Sequence, residues 1–160
     1  MRRFIVIASL VGALFCAASG EASADPVEAH AASTVHVVVI RPPDGEVLVA
    51  ARVRIHGRLF PFLIDTGASK SLVTPAIVRR LHLKTVGKPH KFCGVAACTT
   101  ARKVRLSRWS IGGVALPAVT AVSSPLAGTG GAGAGLLGSD VLSKFGSVTI
   151  DYKDGLLTLG

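Results

Sequence analysis

The sequence predicts a mostly β domain with one or two short helices. Short runs rich in β-branched and aromatic residues recur along the chain, as at 35–40 and 58–64, and strands favour these residue types. Tight-turn dipeptides separate such runs, and Asp154-Gly155 is the strongest of them. Helix starts are few, with Thr74-Pro75 and Ser139 as the candidates. The 160 residues show no internal repeat, so one domain is expected.

The predicted strands are bounded by turn signals of Gly, Pro, Asp or Ser. In chain order they cover 35–40, 46–55, 58–64, 72–73, 91–99, 101–111, 114–122, 136–137, 147–152 and 156–159. Thr74-Pro75, as N-cap and first helical position, predicts a helix that ends before Gly87. Ser139 predicts a second short helix through Phe145. The segment 123–135 is rich in Gly, Ala and Ser, which predicts a loop.

The first 24 residues predict a secretory signal peptide. Two arginines precede an almost uninterrupted apolar run, and Ala22-Ser23-Ala24 offers the small residues that a signal peptidase requires before Asp25. An uncleaved membrane anchor is the alternative, but the run is shorter than the roughly 20 residues that span a bilayer. The bulky residue before Cys16 disfavours a lipoprotein. We therefore expect export, to a periplasm or the medium, without a stable membrane span.

Residues 25–33 are small, polar and alanine-rich, which predicts a flexible leader and leaves 34–160 as the folded domain. The chain carries a net charge of +9, which would suit anionic partners such as envelope phospholipids or acidic polymers. Because the basic residues are dispersed along the sequence, a solvated basic surface is the preferred interpretation. Only 5% of the residues are aromatic, which together with export argues against nucleic-acid binding.

Two cysteines, Cys93 and Cys98, follow the predicted signal peptide. Export to an oxidising compartment favours a disulfide between them. Free thiols are the second interpretation. Metal binding with His90 as a third ligand ranks last, because a structural zinc site needs four ligands and usually tighter cysteine spacing. We therefore expect neither a metal nor a cofactor.

An acidic residue stands at the end of an apolar strand in Phe60-Pro61-Phe62-Leu63-Ile64-Asp65-Thr66-Gly67-Ala68-Ser69. Burying a charged group is costly unless something compensates, so Asp65 requires an explanation. The simple interpretation is a turn aspartate that accepts local backbone N–H bonds. About 70 residues later a second apolar pair and a glycine occur in Leu136-Leu137-Gly138, followed by a short helix and a closing hairpin.

These two blocks and their order resemble the retropepsin-like aspartic peptidases. In that family, two hydrophobic residues lead into Asp-Thr-Gly-Ala-Ser, and a later pair with a glycine packs beside that turn. The resemblance spans about 47–159. It implies a single-lobe, closed β-barrel of the acid-protease type with one or two short helices. It also implies an aspartic endopeptidase that acts on peptide or protein substrates.

Position by position, the resemblance makes Asp65 the catalytic carboxylate. Thr66 would link two active-site turns through its hydroxyl, and Gly67 would let the partner backbone approach closely. Ala68 and Ser69 would line the site and hydrogen-bond the carboxylate. The segment expected to pack beside this turn comprises Leu136, Leu137 and Gly138.

The implied mechanism needs two carboxylates that share one proton and activate a water between them. The sequence contains one Asp-Thr-Gly, and no other acid after the signal peptide is followed by Thr-Gly or Ser-Gly. The second carboxylate is therefore expected from Asp65 of another copy. This predicts a homodimer with a two-fold axis through the site.

Such enzymes cover their substrate with a hairpin flap. Position along the chain makes Cys93, Gly94, Val95 and Ala96 the candidate flap. A disulfide with Cys98 would stiffen it or make activity redox-dependent. The unusual flap leaves a second function open, a non-catalytic module that holds an extended peptide by strand addition. A structural envelope protein attached through its basic surface would leave the acidic turn unexplained.

Overall fold

The computed structural model describes residues 32–41, 45–93, 98–126 and 133–160. The predicted signal peptide lies outside the described residues, as do residues 25–31 of the predicted leader. So do three of the candidate flap residues, Gly94, Val95 and Ala96.

Strands dominate the described residues, as the sequence predicts. In chain order they are β1 (Ser33–Ile40), β2 (Leu48–Ile55), β3 (Arg58–Ile64), β4 (Leu72–Val73), β5 (Thr85–Cys93), β6 (Cys98–Leu106), β7 (Trp109–Ile111), β8 (Val114–Ala115), β9 (Val119–Ser123), β10 (Gly135–Leu137), β11 (Val148–Asp151) and β12 (Leu156–Leu159). Helical structure consists of α1 (Pro75–Arg80), α2 (Ser139–Leu142) and a 3₁₀ turn at Ser143–Phe145. The mostly β class with short helices is confirmed. Within the described ranges, none of the helices has the length and apolar character needed to span a bilayer.

The strands form one sheet with the order β11-β12-β1-β2-β3-β10-β4-β9-β6-β5, and β7 and β8 join it through β2. Among the described strands, no pairing connects the two ends of this order. The sheet is therefore open, and the expected closure of the barrel is wrong. The difference lies in β5, because nearly all of its residues are exposed and its described pairing is with β6 alone.

The middle of the sheet places distant parts of the chain side by side. β10 runs parallel to β3, with Leu137 opposite Ile64. Its other edge pairs antiparallel with β4, and β4 runs parallel to β9. The carboxyl ends of β3 and β10 therefore meet at one edge of the sheet. The residues that follow these two strands, Asp65 and Gly138, are brought together there.

Alternation along β3 directs two aromatic rings into the core. Phe62 is fully buried and Phe60 is nearly so. Trp109 packs against Phe62 with 6.4 Å between the ring centroids, and its indole N–H donates to the Pro117 carbonyl at 2.9 Å. Because a buried indole needs such a partner, this bond lets Trp109 serve as a core residue.

Helix α1 is short because a Schellman motif closes its C-terminal end. The Leu83 N–H donates to the Val78 carbonyl at 3.0 Å, and the His82 N–H donates to the Arg79 carbonyl at 3.3 Å. His82 has a φ of 50°, at the position where helix ends prefer glycine. The chain can then turn back, and β5 begins at Thr85 instead of at the predicted residue 91.

One cap and two strands differ from the prediction in detail. Thr74 occupies the N-cap of α1 as expected, but its side chain makes no capping hydrogen bond. The predicted strand 101–111 is divided into β6 and β7 where Arg108 adopts a positive φ. The predicted strand 114–122 is divided into β8 and β9 around Pro117, which has no N–H to donate to a strand ladder.

Replacing Leu157 with alanine is expected to lower the free energy of unfolding by about 3 kcal/mol, because this β12 side chain is fully buried. Leu59→Ala is the matched control, since Leu59 is 46% exposed and its truncation should cost less than about 1 kcal/mol. Urea unfolding followed by circular dichroism measures both changes. Equal destabilisation by the two variants would contradict the placement of β12 in the core.

Candidate active site

Asp65 follows β3 directly, and its carboxylate organises a tight turn. Its Oδ1 accepts hydrogen bonds from the backbone N–H groups of Gly67 at 2.9 Å and Ala68 at 3.1 Å. Hydrogen bonds to a charged oxygen are stronger than neutral ones. No donor among the described residues reaches the second oxygen, Oδ2, and the residue is only half-buried. The turn therefore fixes one oxygen and leaves the other accessible to a ligand.

The backbone of this turn is held by β10. The Asp65 N–H donates to the Leu137 carbonyl at 3.0 Å, which continues the parallel pairing of the two strands by one more bond. Leu137 is fully buried, whereas Leu136 is half-buried and lines the cavity next to Asp65. The predicted apolar pair thus has two roles, since one residue anchors the turn in the core and the other faces the site.

Gly138 lies so close to the turn that a side chain would not fit. A Cβ at this position would come within 2.8 Å of the Ala68 carbonyl oxygen and of the Lys70 carbonyl carbon. Ser139 fastens the same turn, because its N–H and its Oγ both donate to the Ala68 carbonyl, at 2.8 Å and 2.9 Å. The sequence predicts Ser139 as the cap of α2, but Gly138 occupies the N-cap and the serine hydroxyl binds across to the turn instead.

A buried network that the sequence reasoning missed joins Ser71 to Asp140. Ser71 is fully buried, and its N–H and Oγ both donate to Asp140 Oδ1, at 2.8 Å and 2.7 Å. The Ser71 Oγ also accepts the Gly138 N–H at 3.0 Å. Asp140 lies in the first turn of α2, and its carboxylate binds Ser71 next to the other block. The sequence did contain a signal for this network. Ser71 comes shortly after the first block, which ends at Ser69, and Asp140 comes shortly after the second block, which ends at Gly138.

A cavity of about 300 Å³ opens beside the turn, and most of the residues that line it are apolar. Asp65 and Thr66 line it together with Leu63 and Leu136, which lie opposite each other on the paired strands. Among the described residues that line this cleft, Asp65 is the only acid. The arrangement places one accessible carboxylate at an apolar surface, which suits a ligand with apolar groups beside a polar reacting atom.

Part of the cleft wall comes from segments that the sequence reasoning did not assign to the site. Leu48 contributes from β2, and Ile150 and Tyr152 contribute from the last hairpin. Tyr152 is 50% exposed, although large aromatic side chains tend to be buried. Its exposure is visible only in the structure, so the sequence alone did not assign this residue to the wall.

The remaining residues of the predicted turn lie near the surface. Thr66, Gly67 and Ser69 are exposed, and Ala68 is half-buried. The hydrogen bonds that Asp65 accepts from described residues come from the backbone N–H groups of Gly67 and Ala68. The expected bond from Ser69 to the carboxylate is not among them.

The two cysteines face each other at the distal end of the β5–β6 hairpin. Cys93 pairs with Cys98 in the strand register, and a disulfide joins them with 4.0 Å between the Cα atoms. His90 lies opposite Ala101 on the same hairpin. The disulfide therefore joins the two ends of the segment 94–97, which lies outside the described ranges.

Comparison with known proteins agrees with this geometry. The sequence profile of a family described as aspartyl protease matches residues 51–141, which include both blocks. The crystal structure of a retropepsin-like aspartic protease from Rickettsia conorii superimposes with a TM-score of 0.53 at 22% sequence identity, covering 81% of this chain and 94% of that chain. At this identity the match shows a shared fold. No curated protein matches the sequence.

Ser71→Ala is expected to lower the free energy of unfolding by about 2 kcal/mol, because it removes one buried donor and one buried acceptor from the network. Ser69→Ala, two residues earlier, is the control and should change stability by less than about 0.5 kcal/mol, since Ser69 is exposed. Chemical denaturation of the three proteins gives the comparison. A Ser71→Ala protein as stable as Ser69→Ala would show that the network does not hold the turn.

Proposed function

This chain belongs to the aspartyl protease family, and we propose that it is an exported aspartic endopeptidase that acts as a homodimer. The observation that carries the proposal is the accessible carboxylate of Asp65 in an apolar cleft, held by a turn that β10 and Gly138 lock in place. The retropepsin-like fold supports the same function. Peptide or protein substrates are proposed, because an extended peptide combines apolar side chains with a carbonyl that can reach the carboxylate.

The chemistry proposed for the site is general acid–base activation of water. Two carboxylates held close together cannot both carry a charge cheaply, so they share one proton. The ionised member takes a proton from a bound water, and that water attacks the carbonyl carbon of the peptide bond. The protonated member donates a hydrogen bond to the carbonyl oxygen as the tetrahedral intermediate forms. Proton transfer to the leaving nitrogen then completes cleavage.

A second copy is proposed because the cleft supplies only one acid from its described lining. Asp65 is half-buried and Thr66 is exposed at the same mouth, so the turn is accessible to an identical turn from another chain. A two-fold axis at this place would bring two Asp65 residues face to face. The exposed Thr66 hydroxyl would then be available to bond the partner turn.

Asp65→Asn is expected to abolish peptide hydrolysis, because the amide cannot take a proton from water. Asp151→Asn is a matched control, since Asp151 Oδ1 also accepts two turn N–H groups, from Lys153 and Asp154, at 2.8 Å and 2.9 Å. It should retain activity. Digestion of a diverse peptide library, read by mass spectrometry, measures both variants. Undiminished cleavage by Asp65→Asn would refute catalysis by Asp65, and peptide binding by wild type without any cleavage would favour the non-catalytic module.

Refolding a mixture of wild type and Asp65→Asn tests whether the active species is a homodimer. When wild type and Asp65→Asn are unfolded, combined in equal amounts and refolded, about a quarter of the dimers retain both Asp65 residues under random pairing. The activity of the mixture should then be about half of that measured when the same amount of wild-type chain is refolded without the variant. Activity in direct proportion to the wild-type share would mean that one copy is sufficient.

Expression of the full chain in a bacterium tests export. It should yield a protein that begins at Asp25 and contains no free thiol at Cys93 or Cys98. N-terminal sequencing and thiol alkylation give these readouts, and a retained N-terminus would argue against export.

Reduction of the disulfide tests the candidate flap. If the β5–β6 hairpin covers the substrate, breaking the bond between Cys93 and Cys98 should change kcat/KM, because the two strands are then less firmly held together. Identical kcat/KM before and after reduction would argue against the flap.

A further inference from the structure

A second cavity lies at the other end of β3, away from Asp65. Its volume is about 430 Å³. Three turns contribute to it: the β2–β3 turn with His56, the end of α1 with His82, and the β6–β7 turn with Arg108. Since β3 spans Arg58–Ile64, about 20 Å at roughly 3.3 Å per residue, this basic cavity and the Asp65 cleft are separate sites.

The basic cavity is lined by cations and, among the described residues, by no acid. Five of its eight lining residues are basic: His56, His82, Lys84, Arg105 and Arg108. The described acids belong to other segments: Glu46, Asp65, Asp140, Asp151 and Asp154. The backbones of Lys84 and Arg105 are joined by a hydrogen bond of 3.0 Å. A bound anion would interact favourably with several of these positive charges at once.

The backbone around this cavity is held in an unusual conformation. Among the described residues, the non-glycine residues with positive φ are His56 at 47°, His82 at 50° and Arg108 at 52°. All three line the basic cavity. This left-handed region strains most side-chain-bearing residues; glycine adopts it freely, and asparagine, aspartate and histidine adopt it more readily than other residues.

Turn chemistry favours glycine or asparagine at these positions, and Arg108 departs furthest from that preference. His56 precedes Gly57, which has a φ of 84°, in a tight hairpin turn where Asn-Gly is preferred. His82 occupies the Schellman position that glycine usually takes. Three basic side chains at left-handed positions around one cavity point to a function for that cavity, because backbone strain in non-glycine residues tends to cluster at functional sites.

We propose that the basic cavity binds a phosphate group, carried by a soluble phosphate or by the headgroup of an anionic lipid. Arginine presents a planar fork of N–H donors that matches phosphate oxygens, and Arg105 and Arg108 supply two such forks. Lys84 adds a compact positive charge. Leu81 and Leu83 line the apolar side of the cavity, where the uncharged part of the ligand would lie. The proposal does not depend on peptidase activity.

The test measures binding to two probes. Inorganic phosphate is titrated into the purified protein and followed by amide chemical shifts, and sedimentation with phosphatidylglycerol vesicles is compared with phosphatidylcholine vesicles. The expected result is saturable binding to at least one probe, with shifts at the three turns. Saturation by phosphate identifies a soluble ligand, and binding to phosphatidylglycerol alone identifies a lipid headgroup. Absence of both would overturn the proposal.

Variants at the strained positions separate binding from folding. Arg108→Gly and His82→Gly place glycine where the backbone favours it, so the melting temperature should stay the same or rise. Arg108→Gly should weaken binding about fivefold, and Arg105→Gln by a similar factor. Lys144→Gln removes one exposed charge outside the cavity and should leave affinity unchanged. An equal loss in Lys144→Gln would assign the binding to the net charge of the protein and overturn the cavity as its site.

Discussion

The parallel pairing of β10 with β3 is the constraint on which the candidate active site depends. It lets the Leu137 carbonyl accept the Asp65 N–H, and it carries Gly138 onto the turn. The pairing requires very close approach, because a Cβ at Gly135 would overlap the Phe62 ring and the Leu72 carbonyl. Two glycines therefore bracket the strand for steric reasons. The position of the carboxylate is thus determined by backbone contacts between segments that lie far apart in sequence.

The two aspartates at this junction have different roles. Asp65 has one oxygen bound by turn amides and the other accessible at the cleft. Asp140 uses one oxygen to hold Ser71, and its Oδ2 is buried without a hydrogen-bond partner among the described residues. An unpartnered buried oxygen carries a desolvation cost. Asp140 bears this cost where it connects α2 to the residue that precedes β4. Asp65, in contrast, remains in contact with solvent at the cleft.

Local signals in the sequence predict much of this architecture. The hairpin at His56-Gly57, the start of α1 and the strand that delivers Asp65 all follow from residues close in sequence. Long-range features were less accessible. The last hairpin's contribution to the cleft depends on how β11 and β12 join the sheet, and the Ser71–Asp140 bond exists only because β10 pairs with β3. Likewise, the basic residues of the second cavity are scattered over more than fifty positions, and only the fold gathers them.

The position of β1 has a consequence for how the chain acquires its structure. Ser33 pairs with Leu159, and the first described strand lies between the last strand and β2. An early segment must therefore wait for the final residues before both of its edges are filled. Such remote partners make folding slow. The sheet is completed only after β12 has been synthesised and can reach β1.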